Sequence, residues 1–181
     1  WIYNSGFSTL NFIPSESKKV PIQLHLENHV IIGGFGRLGS TLSTFLENND
    51  FSYIAIETNI DLVDKYRNQG KNIIYGDSNN VEILNHCHLD SARLVVLTFK
   101  SLEEGKAAIG GIRQRNTNVP IIVRCQDHHG LDELLLLGAD HVYPELLESS
   151  LLISRHVLGL LSINEQEITK QIDEYRVSPP Q

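Results

Sequence analysis

The run His29-Val30-Ile31-Ile32-Gly33-Gly34-Phe35-Gly36-Arg37-Leu38-Gly39 constrains the fold of this chain more than any other stretch of its 181 residues. Val30 to Ile32 form a short, β-branched apolar run of the kind that makes a strand buried on both faces. Gly34 lies where the chain must turn sharply, and Gly36 lacks the Cβ that would hold a pyrophosphate away from the backbone. Gly39 lets the next helix sit close to the strand. That helix, about Arg37 to Glu47, directs its unpaired N–H groups and the positive end of its dipole at an anion in the turn. Strand, glycine turn and helix together predict a seat for a nucleotide phosphate.

A glycine pattern alone is a weak signal, but a second strand, Phe51 to Ile56, follows and ends at Glu57, 23 residues after Gly34. That is the spacing of an acid that accepts hydrogen bonds from ribose hydroxyls. A carboxylate there repels a 2′-phosphate, and Thr58 and Asn59 supply no arginine to hold one, so NADP is disfavoured while NAD(H), AMP, ADP and ATP stay open.

The rest of the chain alternates the same two signals. Asn59 reads as the cap of a helix through Asn68 that stops at Gly70, and Asn72 to Tyr75 as a third strand ending in Gly76-Asp77. A helix over Val81 to His86 leads to a fourth strand, Ala92 to Phe99. Ser101 caps a helix to about Arg115, whose Ala107, Ala108, Gly110 and Gly111 suggest close approach to a neighbour, with simple tolerance or a helix break as the alternatives. Pro120 to Cys125, Leu131 to Leu137 ended by Gly138, and His141 to Tyr143 read as strand, helix and strand. Short connections between alternating strands and helices predict an α/β fold, a doubly wound parallel sheet of order 3-2-1-4-5-6 with helices on both faces. A long helix, about Glu145 to Leu161, carries Leu147, Leu151, Leu158 and Leu161 on one face, widened by Leu146, Ile153, Val157 and Leu160. The excess predicts packing against another subunit or, equally, against the last strand of its own sheet. A final helix runs from about Asn164 to Tyr175.

Charge and composition remove several functions. A net charge of −7 without a Lys/Arg cluster gives no footprint for nucleic acid. Two cysteines form no disulfide framework in a domain of this size, and no apolar run reaches the length of a membrane span. Neither His86-Cys87-His88 nor Cys125-Gln126-Asp127-His128-His129 has a zinc-site spacing, so no metal site is expected. None of the six tyrosines has a lysine four residues on, and only terminal helices and an N-terminal arm remain to bind a substrate. A nucleotide seat with no place for a reaction predicts a sensor, in which binding biases a conformational equilibrium, and not an enzyme. A small NAD-dependent oxidoreductase is the alternative from a different class.

These residues resemble a known family, the RCK or KTN (TrkA-N) domains that regulate potassium channels and transporters. The resemblance rests on HVIIGGFGRLG, Glu57, the YGD at Tyr75 to Asp77, LVVLTF at Leu94 to Phe99 and IIVRCQD at Ile121 to Asp127. The segment GADHVYPELLESSLL, Gly138 to Leu152, is most similar to domains fused behind monovalent cation:proton antiporters, including glutathione-gated potassium-efflux systems. By resemblance the glycine loop and Arg37 hold phosphates, Glu57 holds ribose and Asp77 lies near adenine. The implied nucleotide-binding set is Gly34, Phe35, Gly36, Arg37, Leu38, Gly39, Glu57, Thr58, Asp77, Ser78 and Thr98. The family usually continues GD with alanine and threonine, whereas this chain has Ser78-Asn79-Asn80. Arg124 matches an arginine near the dimer-interface glutathione site, although Cys125-Gln126 replaces the usual Ala-Arg.

The resemblance also implies a Rossmann-like nucleotide-binding domain over residues 29–144, with C-terminal helices over 145–176 as a possible dimer contact and a short tail over 177–181. Residues 1–28, with Pro14, Lys18, Lys19 and Pro21, read as an arm that would follow a membrane domain of the same chain, and the start at Trp1 without any methionine suggests a piece of a longer protein. The implied assembly is a homodimer at the cytoplasmic face of the inner membrane, binding AMP or NAD(H), with glutathione as a further ligand. A free-standing potassium-uptake subunit of the Trk type is the third reading.

Overall fold

The computed structural model describes residues 26–99, 101–126 and 130–177. Most of the expected arm, the residues Asp127, His128 and His129 of the second Cys/His cluster, and the end of the tail lie outside the described residues.

Six parallel strands, β1 (Val30–Gly33), β2 (Tyr53–Glu57), β3 (Ile73–Tyr75), β4 (Leu94–Leu97), β5 (Ile121–Cys125) and β6 (His141–Pro144), form one sheet in the order β3-β2-β1-β4-β5-β6. This is the predicted doubly wound order. Helices α1 (Arg37–Asn48) and α2 (Ile60–Asn68) make the crossovers on one side of β1, while α3 (Val81–His86), α4 (Leu102–Arg115) and α5 (Leu131–Leu136) serve the other half. Right-handed crossovers in opposite directions from β1 put the two sets on opposite faces. Strand alternation shows the result: Ile31, Val95, Leu97, Ile121 and Val123 pack with Leu84, Ile109, Ile112 and Leu134 of the second set, whereas Val30, Ile32, Ala55 and Val96 pack with Phe35, Leu42 and Val63 beneath α1 and α2.

The expected caps form. The Asn59 side chain accepts from the amides of Asp61 and Leu62, and Ser101 from that of Glu104. Gly70 and Gly138 take the left-handed conformation beyond α2 and α5. Strand four is shorter than Ala92 to Phe99: Ala92 closes a 3-10 turn over Leu89–Ser91, and Thr98 leaves the ladder to bond the turn after β1. Within α4 the helix is continuous, and the tight glycine is Gly105, whose absent Cβ would lie 3.3 Å from Leu134, while Gly110 faces open space. Nearby, His29 is buried with Nε2–H donating to the Cys87 carbonyl at 2.8 Å. Burial holds the His29 pKa below its usual 6.5 and pushes the Cys87 thiol up to about 12.

Helices α6 (Glu145–Leu160) and α7 (Glu165–Val177) form a small separate core of Leu151, Ile168 and Ile172, flanked by Leu147 and Leu158. Tyr143 of the last strand stays exposed beside the first turns of α6, and Leu146, Leu152, Ile153 and Leu160 face outward. Among the described residues no helix is long and apolar enough to cross a membrane.

Candidate functional site

The last rung that β1 shares with β4 is Gly33 opposite Leu97. Beyond it the chain must reverse into α1, and Gly34 does so at a φ of +89°, a conformation strained for any residue with a Cβ. Its amide donates to the Ile56 carbonyl at 2.8 Å, and a side chain there would also meet the Thr98 hydroxyl. Gly39 is required for a different reason: a Cβ would lie 2.3 Å from the Gly34 carbonyl oxygen, so α1 can rest on the turn only if residue 39 has none.

Gly36 is the N-cap of α1, with no atom within 4 Å of where its Cβ would be. No side chain caps this helix and no acidic residue lies in its first turn, whereas α2, α3 and α4 are capped by Asn59, Asn80 and Ser101 and begin with acids. The first-turn amides of α1 therefore present uncompensated positive potential to the space outside Gly36.

Glu57 closes the other side. One carboxylate oxygen accepts from the Phe35 amide at 2.7 Å and the other from the Asn59 amide at 2.9 Å, which ties the glycine loop to the end of β2. The Thr58 hydroxyl lies 3.5 Å from that second oxygen as well, so of the about four acceptor positions of a carboxylate one remains. Past β3, Asp77 turns the chain by accepting from the Asn79 amide at 2.9 Å, and Ser78 packs almost fully buried against Gly33.

These segments enclose a cleft of about 280 Å³ at the C-terminal edge of the sheet, lined by Gly34, Gly36, Glu57, Thr58, Asp77, Ser78 and Thr98 of the predicted set. Four members of that set lie elsewhere. Phe35 is fully buried, its ring edge-on to Tyr66 at 4.9 Å, so only its backbone reaches the loop. Gly39 lies beneath the helix, Arg37 is exposed on the first turn of α1, and Leu38 points to a different groove. The lining also contains Gly76, Asn79, Phe99 and Glu104, which were not predicted. Topology would have found Glu104 and Phe99: in a doubly wound sheet the end of β4 and the first turn of α4 face the same edge as the glycine turn. Among the described residues, no group of three or more His, Cys, Asp or Glu side chains could hold a metal ion.

Arg124 lies outside this cleft. Its side chain is largely buried, donating from Nη1 to the Thr98 carbonyl at 3.1 Å and pairing through Nη2 with Glu145. It borders a second, apolar groove of about 430 Å³ whose floor includes Leu38, Leu42, Leu94, Val96 and Ile122. That groove is the part of the α1–α2 face that the crossovers leave uncovered.

Residues 30–145 match the TrkA-N domain family. The chain is 29% identical over 178 residues, 98% of its length, to KefB of Alkalimonas amylolytica, assigned as a K(+) efflux antiporter, and spans 26% of that protein. Among solved structures, the TrkA-N domain of the inner membrane protein ybaL from Escherichia coli is 30% identical, with a TM-score of 0.67 over 75% of this chain and 98% of that one. The Kef C-terminal domain of Shewanella denitrificans in its AMP-bound form shares the fold at 20% identity and a TM-score of 0.68, over 82% of this chain and 90% of that one.

Proposed function

The chain belongs to the TrkA-N domain family, and from that premise we propose that it is a nucleotide-sensing regulatory domain, binding AMP or NAD(H) and gating a potassium/proton antiporter carried by the same polypeptide. One observation carries this reading: the uncapped N-terminus of α1 opens at Gly36 into a cleft whose facing wall is Glu57. A phosphate at the helix terminus is stabilised by N–H groups and dipole. A ribose hydroxyl donates to the acceptor position that Glu57 keeps, and the base extends toward Asp77 and Asn79. The names of the relatives, a K(+) efflux antiporter among them, support the transport context, and the AMP-bound Kef domain supports the ligand class. In this reading the hydroxyls and carboxylates that line the cleft serve to bind the nucleotide, and the binding energy serves a population shift. Such a shift requires that the nucleotide bind one arrangement of a dimer better than another.

The test is nucleotide-dependent thermal stabilisation. AMP or NADH is expected to raise the melting temperature of the wild type and not of Gly36→Val, whose side chain would occupy the open space at the helix terminus. Glu57→Ala is expected to weaken binding by roughly 1–3 kcal/mol, the loss of charge-assisted hydrogen bonds. NADPH should bind less well than NADH. A full shift in Gly36→Val would refute the phosphate seat, and NADH turnover with a panel of small alcohols, ketones or acids would refute the sensor.

A further inference from the structure

The rungs at the C-terminal edge of the sheet reveal how the nucleotide seat is joined to the C-terminal helices. Gly33 pairs with Leu97 and Leu97 with Val123, and there the β1–β4 and β4–β5 ladders end. One residue further on, Gly34, Thr98 and Arg124 lie side by side, and side chains add to the one backbone bond that persists between Thr98 and Gly33. The Thr98 hydroxyl lies 3.1 Å from the Gly33 carbonyl and 3.0 Å from that of Gly34, and the Thr98 amide donates to Gly33 at 2.8 Å. The Thr98 carbonyl in turn accepts from Arg124 Nη1, and Arg124 Nη2 pairs with Glu145, the first residue of α6. The guanidinium is a planar fork, so its two terminal nitrogens cannot move independently. Its Nε is buried without a partner, which leaves these two contacts to fix the orientation of the group.

We propose that Arg124 is a positioning residue that transmits the state of the Gly33-Gly34 turn to the start of α6, through Thr98 on one side and Glu145 on the other. The function of this relay rests on the nucleotide reading above: a phosphate drawn to the turn moves the Gly34 carbonyl, Thr98 follows, and the fork carries the displacement to Glu145. Helix α6 is a suitable receiver. It joins the sheet at β6, and among the described residues its later turns are held by the small core shared with α7 and by the ion pairs of Glu148 with Arg176 and of Arg155 with Glu165. Arg124 is thus assigned to linking the site to its output, with both terminal nitrogens already engaged by protein.

Hydrogen exchange of the amides of residues 145–151 tests the relay in two arms. Without ligand, Thr98→Val is expected to speed exchange there in the wild-type background and to add nothing in Arg124→Gln, because the connection is already cut. Additive effects would overturn the relay. With AMP or NADH, exchange in the wild type is expected to slow by roughly fivefold or more, a typical coupling factor, while Arg124→Gln still binds nucleotide and shows no such slowing. A wild-type response in that variant would also overturn it. Arg124→Lys keeps the charge opposite Glu145 but not the fork, and should behave like Arg124→Gln. Glu145→Ala removes the same link from an exposed position and decides the matter if Arg124→Gln does not fold. If neither AMP nor NADH binds the wild type, the nucleotide reading falls and the ligand-free arm still judges the relay.

Discussion

At the scale of single residues, what a side chain does here depends on which backbone groups surround it. Glu57 and Asp77 are both carboxylates at strand ends, yet the first anchors the Phe35 amide of the glycine loop across the sheet and the second only turns its own chain at Asn79. Gly34 and Gly39 are needed for positive φ and for contact with a carbonyl oxygen, respectively. His29 has a pH consequence. Its Nε2–H is bonded to Cys87, its Nδ1 is buried without a partner, and burial lowers its pKa from 6.5. Below about pH 6.5 the unfolded chain therefore binds a proton that the folded protein resists, so stability falls as pH drops through that value, while above it the contribution of His29 is constant. Urea midpoints measured from pH 7.5 to 5.5 should fall more for the wild type than for His29→Gln, which can donate to Cys87 without titrating. Equal slopes would locate the pH dependence in other groups.

At the scale of elements, α6 and α7 stand apart from the sheet energetically. Leu151, Ile168 and Ile172 share a core with neither of the two clusters on the sheet faces. Ile168→Ala removes the most buried member, at a typical cost of about 2–5 kcal/mol. Because the cluster is separate, the expected outcome is local: amides of α7 exchange freely while those of β1, β4 and β5 keep their protection. Loss of protection across the sheet would show that the helical pair and the sheet form one cooperative unit. The boundaries of α3 and α4 and the caps at Asn59 and Ser101 were legible in the sequence, since they depend on local hydrogen bonding and on where apolar periodicity stops. The shortening of β4 was not, because Thr98 leaves the ladder for a contact with residues 64 and 65 positions away.

At the scale of the whole molecule, the exposed apolar residues of α6 bear on assembly. Ile153 is 62% exposed and Leu160 86%, and α7 covers only the opposite side of the helix. A contiguous apolar strip of this kind favours association, and a homodimer is the assembly proposed for it. Sedimentation of the wild type should give a dimer and that of Ile153→Asp with Leu160→Asp a monomer with its sheet intact; a monomeric wild type would remove α6 as the contact. The sheet order, the helix caps and the glycine turn followed from the chain itself, because a 3.6-residue or two-residue period, a Cβ-free position and a capping side chain act over a few residues. The cleft's lining by Asn79, the burial of Phe35 beneath the loop it belongs to, and the placement of Arg124 between Thr98 and Glu145 were decided by tertiary structure alone. Each depends on the register that brings separate strand ends to one edge, and register is set by the packing of both sheet faces together and not by any single segment.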